Sequence, residues 1–123
     1  MSDLTDKKCE TCTIDAPLVN SVDYPDLLKE LEDWSIEEES INKLVKSYNF
    51  ANYADSVSFT KKIADLAEAE DHHPKIVLEW GSVKLEWWSH KIKGLHLNDF
   101  ICAAKSDMIF NILSFQASLL SHA

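Results

Sequence analysis

A single two-residue turn, Gly81-Ser82, constrains this chain more than any other feature. It separates two runs of strand-forming residues, KIVLEW and VKLEWW. Glycine at the first central position suits a II′ hairpin, the turn whose twist matches that of paired strands. Pairing across it sets Trp80 opposite Val83, Leu78 opposite Leu85 and Ile76 opposite Trp87. One face then carries Ile76, Leu78, Trp80, Val83, Leu85 and Trp87, an apolar stripe that needs helices over it. The other carries Lys75, Val77, Glu79, Lys84, Glu86 and Trp88, with Glu79 and Lys84 as a cross-strand ion pair. Extending the register brings His73 opposite His90, off the core face, with His72 beside them. Directly paired residues lie about 4.5–5.5 Å apart between Cα atoms. Imidazoles distant in sequence are thus predicted to be neighbours in space.

The rest of the chain supplies the covering layer. Asp23, a candidate cap, and Pro25 open a short helix on Leu27, Leu28 and Leu31 that ends near Asp33. Residues 34–38 and 41–50 read as strands, although Lys46 interrupts the apolar parity of Leu44, Tyr48 and Phe50. Asn52 and Asp55 form a capping signal for a second helix. Ala54, Val57, Ala64 and Ala67, flanked by Phe59, Ile63 and Leu66, give it its periodicity. It closes near Ala69 or Glu70, because Pro74 cannot continue it. A last helix runs from about Leu97 to Leu120. The order helix, two strands, helix, two strands, helix implies an α+β fold: a four-stranded antiparallel sheet with three helices packed on one face. Residues 1–22 read as an irregular N-terminal arm and 23–123 as a single domain.

Charge excludes some functions. The net charge is −9 and all twelve basic residues are lysines. Without arginine the bidentate fork favoured for phosphates and guanine edges is missing, and an acidic surface repels a polyanion. Direct nucleic-acid binding is not expected. No apolar run approaches the roughly 18 residues of a membrane span, and the N-terminus lacks a signal peptide's apolar centre, so a cytoplasmic protein is expected. Three cysteines, an odd number, argue against a disulfide framework. Cys9 and Cys12 form a lone CxxC without the further ligands a zinc site needs. Cys102 reads as a small buried hydrophobe.

Histidine can both give and take a proton near neutral pH. Neighbouring imidazoles can remove a proton from one atom and deliver one to another, as the elimination of water requires. Glu68, Glu70 and Asp71 lie close enough in sequence to orient them. A zinc site of His72, His73 and His90 is awkward, because adjacent histidines on an extended segment point apart. Trp87 belongs to the core stripe. Trp88 shares a face with His90 and offers either a stacking surface for a flat heterocycle or an oligomer contact.

EDHHP closing a helix, a hairpin ending in Ser89-His90, and Leu97-Asn98-Asp99 opening the last helix together resemble the pterin-4a-carbinolamine dehydratases. The likeness runs from about Trp34 to the final helix; the arm with its CETC and the following APLV resembles bacterial members. The resemblance implies a hydro-lyase that dehydrates 4a-hydroxytetrahydrobiopterin to the quinonoid dihydropterin, recycling the cofactor of aromatic amino acid hydroxylases. It implies no metal and no cofactor, the pterin being the substrate. By position, His72 and His90 would be the acid/base pair and His73 would hold the pterin. Pro74 and Ser89 would shape the pocket, and Glu68 and Asp99 match acidic positions near it; Trp88 joins the substrate-binding set through its stacking surface, not through the resemblance. It also implies a homodimer or homotetramer, consistent with a final helix rich in Ile109, Phe110, Ile112, Leu113 and Phe115. Two positions depart from the family: Ile76 where an aromatic is common, and His96 where a serine often caps the last helix. The competing expectation is a non-catalytic assembly or transcriptional co-regulator role on the same fold, which has no need of the three histidines.

Overall fold

The computed structural model describes residues 4–7, 9 and 17–121, the last five in backbone only. Cys12 lies outside them. Helix α1 spans Tyr24–Leu28, α2 Tyr53–Glu70 and α3 Leu97–Ser121; strands β1 to β4 span Ser35–Glu38, Asn42–Asn49, Lys75–Glu79 and Ser82–Trp87. The strands form one antiparallel sheet in the order β1-β2-β4-β3. The α+β architecture expected from the element order is therefore the one observed. None of the helices is long and apolar enough to cross a membrane, among the described residues.

The hairpin differs in one respect. Glu79 pairs with Ser82, Leu78 with Val83, Ile76 with Leu85 and Lys75 with Glu86, so the turn is Trp80-Gly81 rather than Gly81-Ser82. The pairing has slipped by two residues. Side chains alternate with period two, so this slip leaves every strand residue on its expected face. Val83, Leu85 and Trp87 are fully buried, whereas Trp80 leaves the stripe for the turn and is 68% exposed. The expected Glu79–Lys84 pair is replaced by contacts of Lys84 with Glu37 at 3.9 Å and Glu86 at 4.0 Å. His73 and His90 are not opposite each other; extended, the register sets His73 against Trp88. Gly81 takes no positive φ. It is needed because a Cβ there would stand 3.1 Å from the Phe50 carbonyl oxygen, whose own N–H donates to the Gly81 carbonyl.

Size decides which helix face is buried. In α2 the buried stripe is Ser56, Phe59, Ile63 and Ala67, while Ala54, Val57 and Ala64 face outward. Phe59 and Ile63 remove more apolar area from water than the alanines do. Phe59 meets Tyr48 at 4.7 Å, Phe50 at 5.3 Å and Phe110 at 6.0 Å between ring centroids, joining β2, α2 and α3 in one aromatic cluster. Asn52 caps α2 as its sequence suggests, its Oδ1 accepting the Asp55 N–H at 2.8 Å. The first helix is shorter than expected. A 3-10 turn, Ser21–Asp23, puts Asp23 into helical backbone, and Asn20 caps that turn while Asp23 makes no cap bond. Leu31 still reaches the core from the turns that follow, and so does Leu4 from a 3-10 turn at Leu4–Asp6.

The polar intruder in β2 has a partner. Lys46 Nζ lies 2.8 Å from Asp107 Oδ1 of α3, and the same carboxylate accepts from the Tyr48 hydroxyl at 2.5 Å and the Trp34 indole N–H at 3.0 Å. The Lys46 parity is thus core parity, satisfied by one aspartate. Beside it, an open groove of about 610 Å³ runs along Met108, Ile112 and Phe115, the outward face of α3.

Candidate active site

The EDHHP segment is a helix stop with a defined geometry. Asp71 takes the left-handed conformation (φ 49°, ψ 44°), which aspartate tolerates better than most residues. Its N–H reaches back to the Glu68 carbonyl at 3.3 Å, and the His72 N–H reaches the Ala67 carbonyl at 3.1 Å. Those two bonds are the Schellman closure, which satisfies the last carbonyls of α2. The closure turns the chain so that His72 goes inward and His73 outward. His72 is 6% exposed, its ring stacked on Trp87 with centroids 5.6 Å apart and planes 11° apart. His73 is exposed and meets Glu68 Oε1 through Nε2 at 2.7 Å. Pro74 follows and releases the chain into β3.

Asp99 is the fixed point opposite. It has no exposed surface. Its Oδ1 lies 2.6 Å from His72 Nε2; its Oδ2 accepts the Ser89 hydroxyl at 2.8 Å and the His96 backbone N–H at 2.9 Å. The carboxylate also sits in the first turn of α3, where the helix dipole favours an anion. Three segments, the end of α2, the loop after β4 and the start of α3, therefore converge on one acid.

His96 explains itself here. Its Nδ1 accepts the Asn98 N–H at 3.0 Å, the bond a serine or threonine cap would make. With Asp99 returning to the His96 N–H, the two make a capping box in which His replaces Ser/Thr and Asp replaces Glu. The sequence carried this signal as a polar pair three residues apart, but the imidazole disguised it. His96→Ala is expected to cost about 1 kcal/mol, and His96→Ser to recover most of that. Urea unfolding of the two variants checks it; equal losses would rule out the capping role.

His90 projects from the loop between Ser89 and Gly94, whose backbones pair as an isolated bridge. Its ring is exposed, lies 4.3 Å from that of Trp88, and hydrogen-bonds to no described residue. Lys43 of β2, which the sequence did not single out, places its Nζ 4.4 Å from the Trp88 ring centroid. The structure thus brings Asp99, Ser89 and His72 into direct contact. Glu68 and His73 pair at the surface above the α2 terminus, and Trp88 and His90 pair on the outer side of the sheet end. Among the described residues no three His, Cys, Asp or Glu side chains converge as metal ligands would.

Comparison with known proteins identifies the family. The profile of the family described as "Pterin 4 alpha carbinolamine dehydratase" matches residues 17–109. A Saccharophagus degradans protein provisionally named a pterin-4-alpha-carbinolamine dehydratase is 47% identical over 111 residues, covering 89% of this chain and 98% of its own. A similarly named Vibrio vulnificus protein is 52% identical over 107 residues, covering 86% and 97%. Among solved structures, a "transcriptional coactivator/pterin dehydratase" from Brucella melitensis superposes with a TM-score of 0.70 at 22% identity, over 76% of this chain and 98% of its own. A pterin dehydratase-like protein identified as a RuBisCO assembly factor in the alpha-carboxysome superposes with a TM-score of 0.55 at 21% identity, over 65% and 92%. These two likenesses concern the fold. The match over most of the chain, at about half identity to full-length relatives, means that the chain belongs to the pterin-4-alpha-carbinolamine dehydratase family of hydro-lyases.

Proposed function

We propose that this protein, a cytoplasmic homo-oligomer, dehydrates 4a-hydroxytetrahydrobiopterin to the quinonoid dihydropterin and water. The observation that carries the reading is the buried His72–Asp99 pair, with the exposed His73 next to it in the chain. The reaction takes a proton from the ring nitrogen next to C4a and delivers one to the departing hydroxyl, so the protein ends each turnover in its starting charge state. Asp99 accepts from His72 Nε2–H, which leaves Nδ1, bonded to no described residue, to act as the base. His90 acts as the acid. His73, steadied by Glu68, holds the pterin; Pro74 and Ser89 shape the pocket. Trp88 is covered by Lys43 and His90, so a pterin stacking on it displaces one of them. The substrate must come from a pterin-dependent hydroxylation, which links the protein to an aromatic amino acid hydroxylase. The exposed Met108, Ile112 and Phe115 face of α3 favours self-association.

Stopped-flow dehydration of chemically generated substrate tests the assignment on the intact protein and on His72→Ala, His73→Ala and His90→Ala. Losses of about 10²–10⁴-fold are expected at His72 and His90, the range for a general acid or base. A smaller loss, mainly in KM, is expected at His73. A rate loss at His73 as large as at His72 would move the proton transfer to the exposed histidine. An intact protein no faster than the spontaneous reaction would remove the dehydratase reading in favour of an assembly or co-regulator role.

A further inference from the structure

Cys9 and Cys102 are 93 residues apart in sequence, yet their Sγ atoms stand 3.4 Å apart. Cys9 is half-buried and Cys102 fully buried in the core. Cys9 is held from both sides. Its backbone N–H points to Glu70 Oε2 at 3.5 Å, at the end of α2, and its thiol to the Asn98 carbonyl at 3.8 Å, at the start of α3. We propose that Cys9 and Cys102 are a redox-active dithiol that a small disulfide oxidant, of the glutathione disulfide class, converts to an intramolecular disulfide.

The chemistry balances. The Cys9 thiolate attacks one sulfur of the oxidant, forming a mixed disulfide and releasing one molecule of glutathione. Cys102 then gives up its proton to solvent, and its sulfur attacks the Cys9 sulfur and expels the second glutathione. Two S–H bonds are lost to solvent and one S–S bond is formed; two electrons pass to the oxidant, whose two departing thiolates take up two protons from solvent. The order follows from the surroundings. The hydrogen bond to Cys9 and burial hold the proton on Cys102 well above the usual thiol range, so the more accessible Cys9 is the entry point. A disulfide needs sulfurs about 2.05 Å apart, an approach of roughly 1.4 Å. Rotation of the Cys9 side chain supplies it more readily than any shift in the core.

The bond would clamp the two elements that assemble the candidate site. Cys102 lies about one turn beyond Asp99 on α3, and the Cys9 N–H reaches Glu70, two residues before His72. The inference stands whatever the substrate is. It also gives Cys9 a partner in α3, outside the lone CxxC that it forms with Cys12.

The full-length protein, Cys9→Ser, Cys12→Ser and Cys102→Ser are incubated with glutathione disulfide, quenched by alkylation, and examined by intact mass and peptide mapping. The native chain and Cys12→Ser are expected to lose two hydrogens each and to yield a Cys9–Cys102 cross-linked peptide. Their Tm should rise by about 10 °C, and dithiothreitol should reverse it. Cys9→Ser and Cys102→Ser should not yield that peptide. The proposal is overturned if Cys12→Ser stays fully reduced, or if the native chain's disulfide maps to Cys9 and Cys12.

Discussion

Asp99→Asn is expected to lower the dehydration rate by about 10²–10⁴-fold with the fold intact. The reason is directional. The His96 backbone N–H can only donate, so the new amide must keep its oxygen at the Oδ2 position. Its NH₂ group then faces His72 Nε2, which must offer a lone pair instead of a proton. The imidazole is driven to the Nδ1–H tautomer and loses the lone pair that would accept the substrate's proton. Stopped-flow kinetics measure the loss, and ¹⁵N chemical shifts of the His72 ring report the tautomer. A rate within threefold of the native value, with the tautomer switched, would show that His72 is not the base. Asp99 is buried and touches its partners without facing solvent, so its effect runs through His72 rather than through the substrate.

Asp107→Ala should be the most destabilising single change outside the apolar core, at about 3 kcal/mol. It strands the Lys46 ammonium, the Tyr48 hydroxyl and the Trp34 indole N–H at once. The Lys46 and Asp107 side chains keep 12% and 16% of their exposure, which holds the cost toward the lower end of the range for a buried pair. The same cluster has a pH signature. Burial first, then the negative charge of Asp107, push the Tyr48 phenol far above its ordinary value of 10.0. The unfolded chain therefore releases this proton above pH 10 while the folded protein retains it. The associated stability is full below pH 10 and falls as pH rises beyond it. Tyr48→Phe removes that dependence, so native stability should fall more steeply above pH 10 than that of the variant. Chemical denaturation from pH 8 to 11 measures both slopes; parallel slopes would contradict the protonated buried phenol.

The element order, the single sheet with helices on one face, and the EDHHP helix stop were legible in the residues. So was the fact that His73 and His90 leave the core face. Those conclusions rest on period-two and period-3.6 patterning, on proline, and on capping side chains, all local. A register slip of two residues preserves the strand faces, so the pattern alone could not distinguish Trp80-Gly81 from Gly81-Ser82. The contact of Gly81 with Phe50 breaks that ambiguity, and Phe50 is thirty-one residues away in sequence. Lys46 likewise looked like a flaw in β2 until Asp107 met it.

Sequence by itself determined which residues stand together along each helix and strand, because backbone geometry repeats every few residues. It also named the histidines, since few side chains move protons near neutral pH. Tertiary structure alone decided their inequality. One histidine of an adjacent pair is stacked on Trp87 and fastened to Asp99 while the other stands in solvent beside Glu68. The partners come from elements folded over one another, and burial with hydrogen bonding, not residue type, sets the two imidazoles apart.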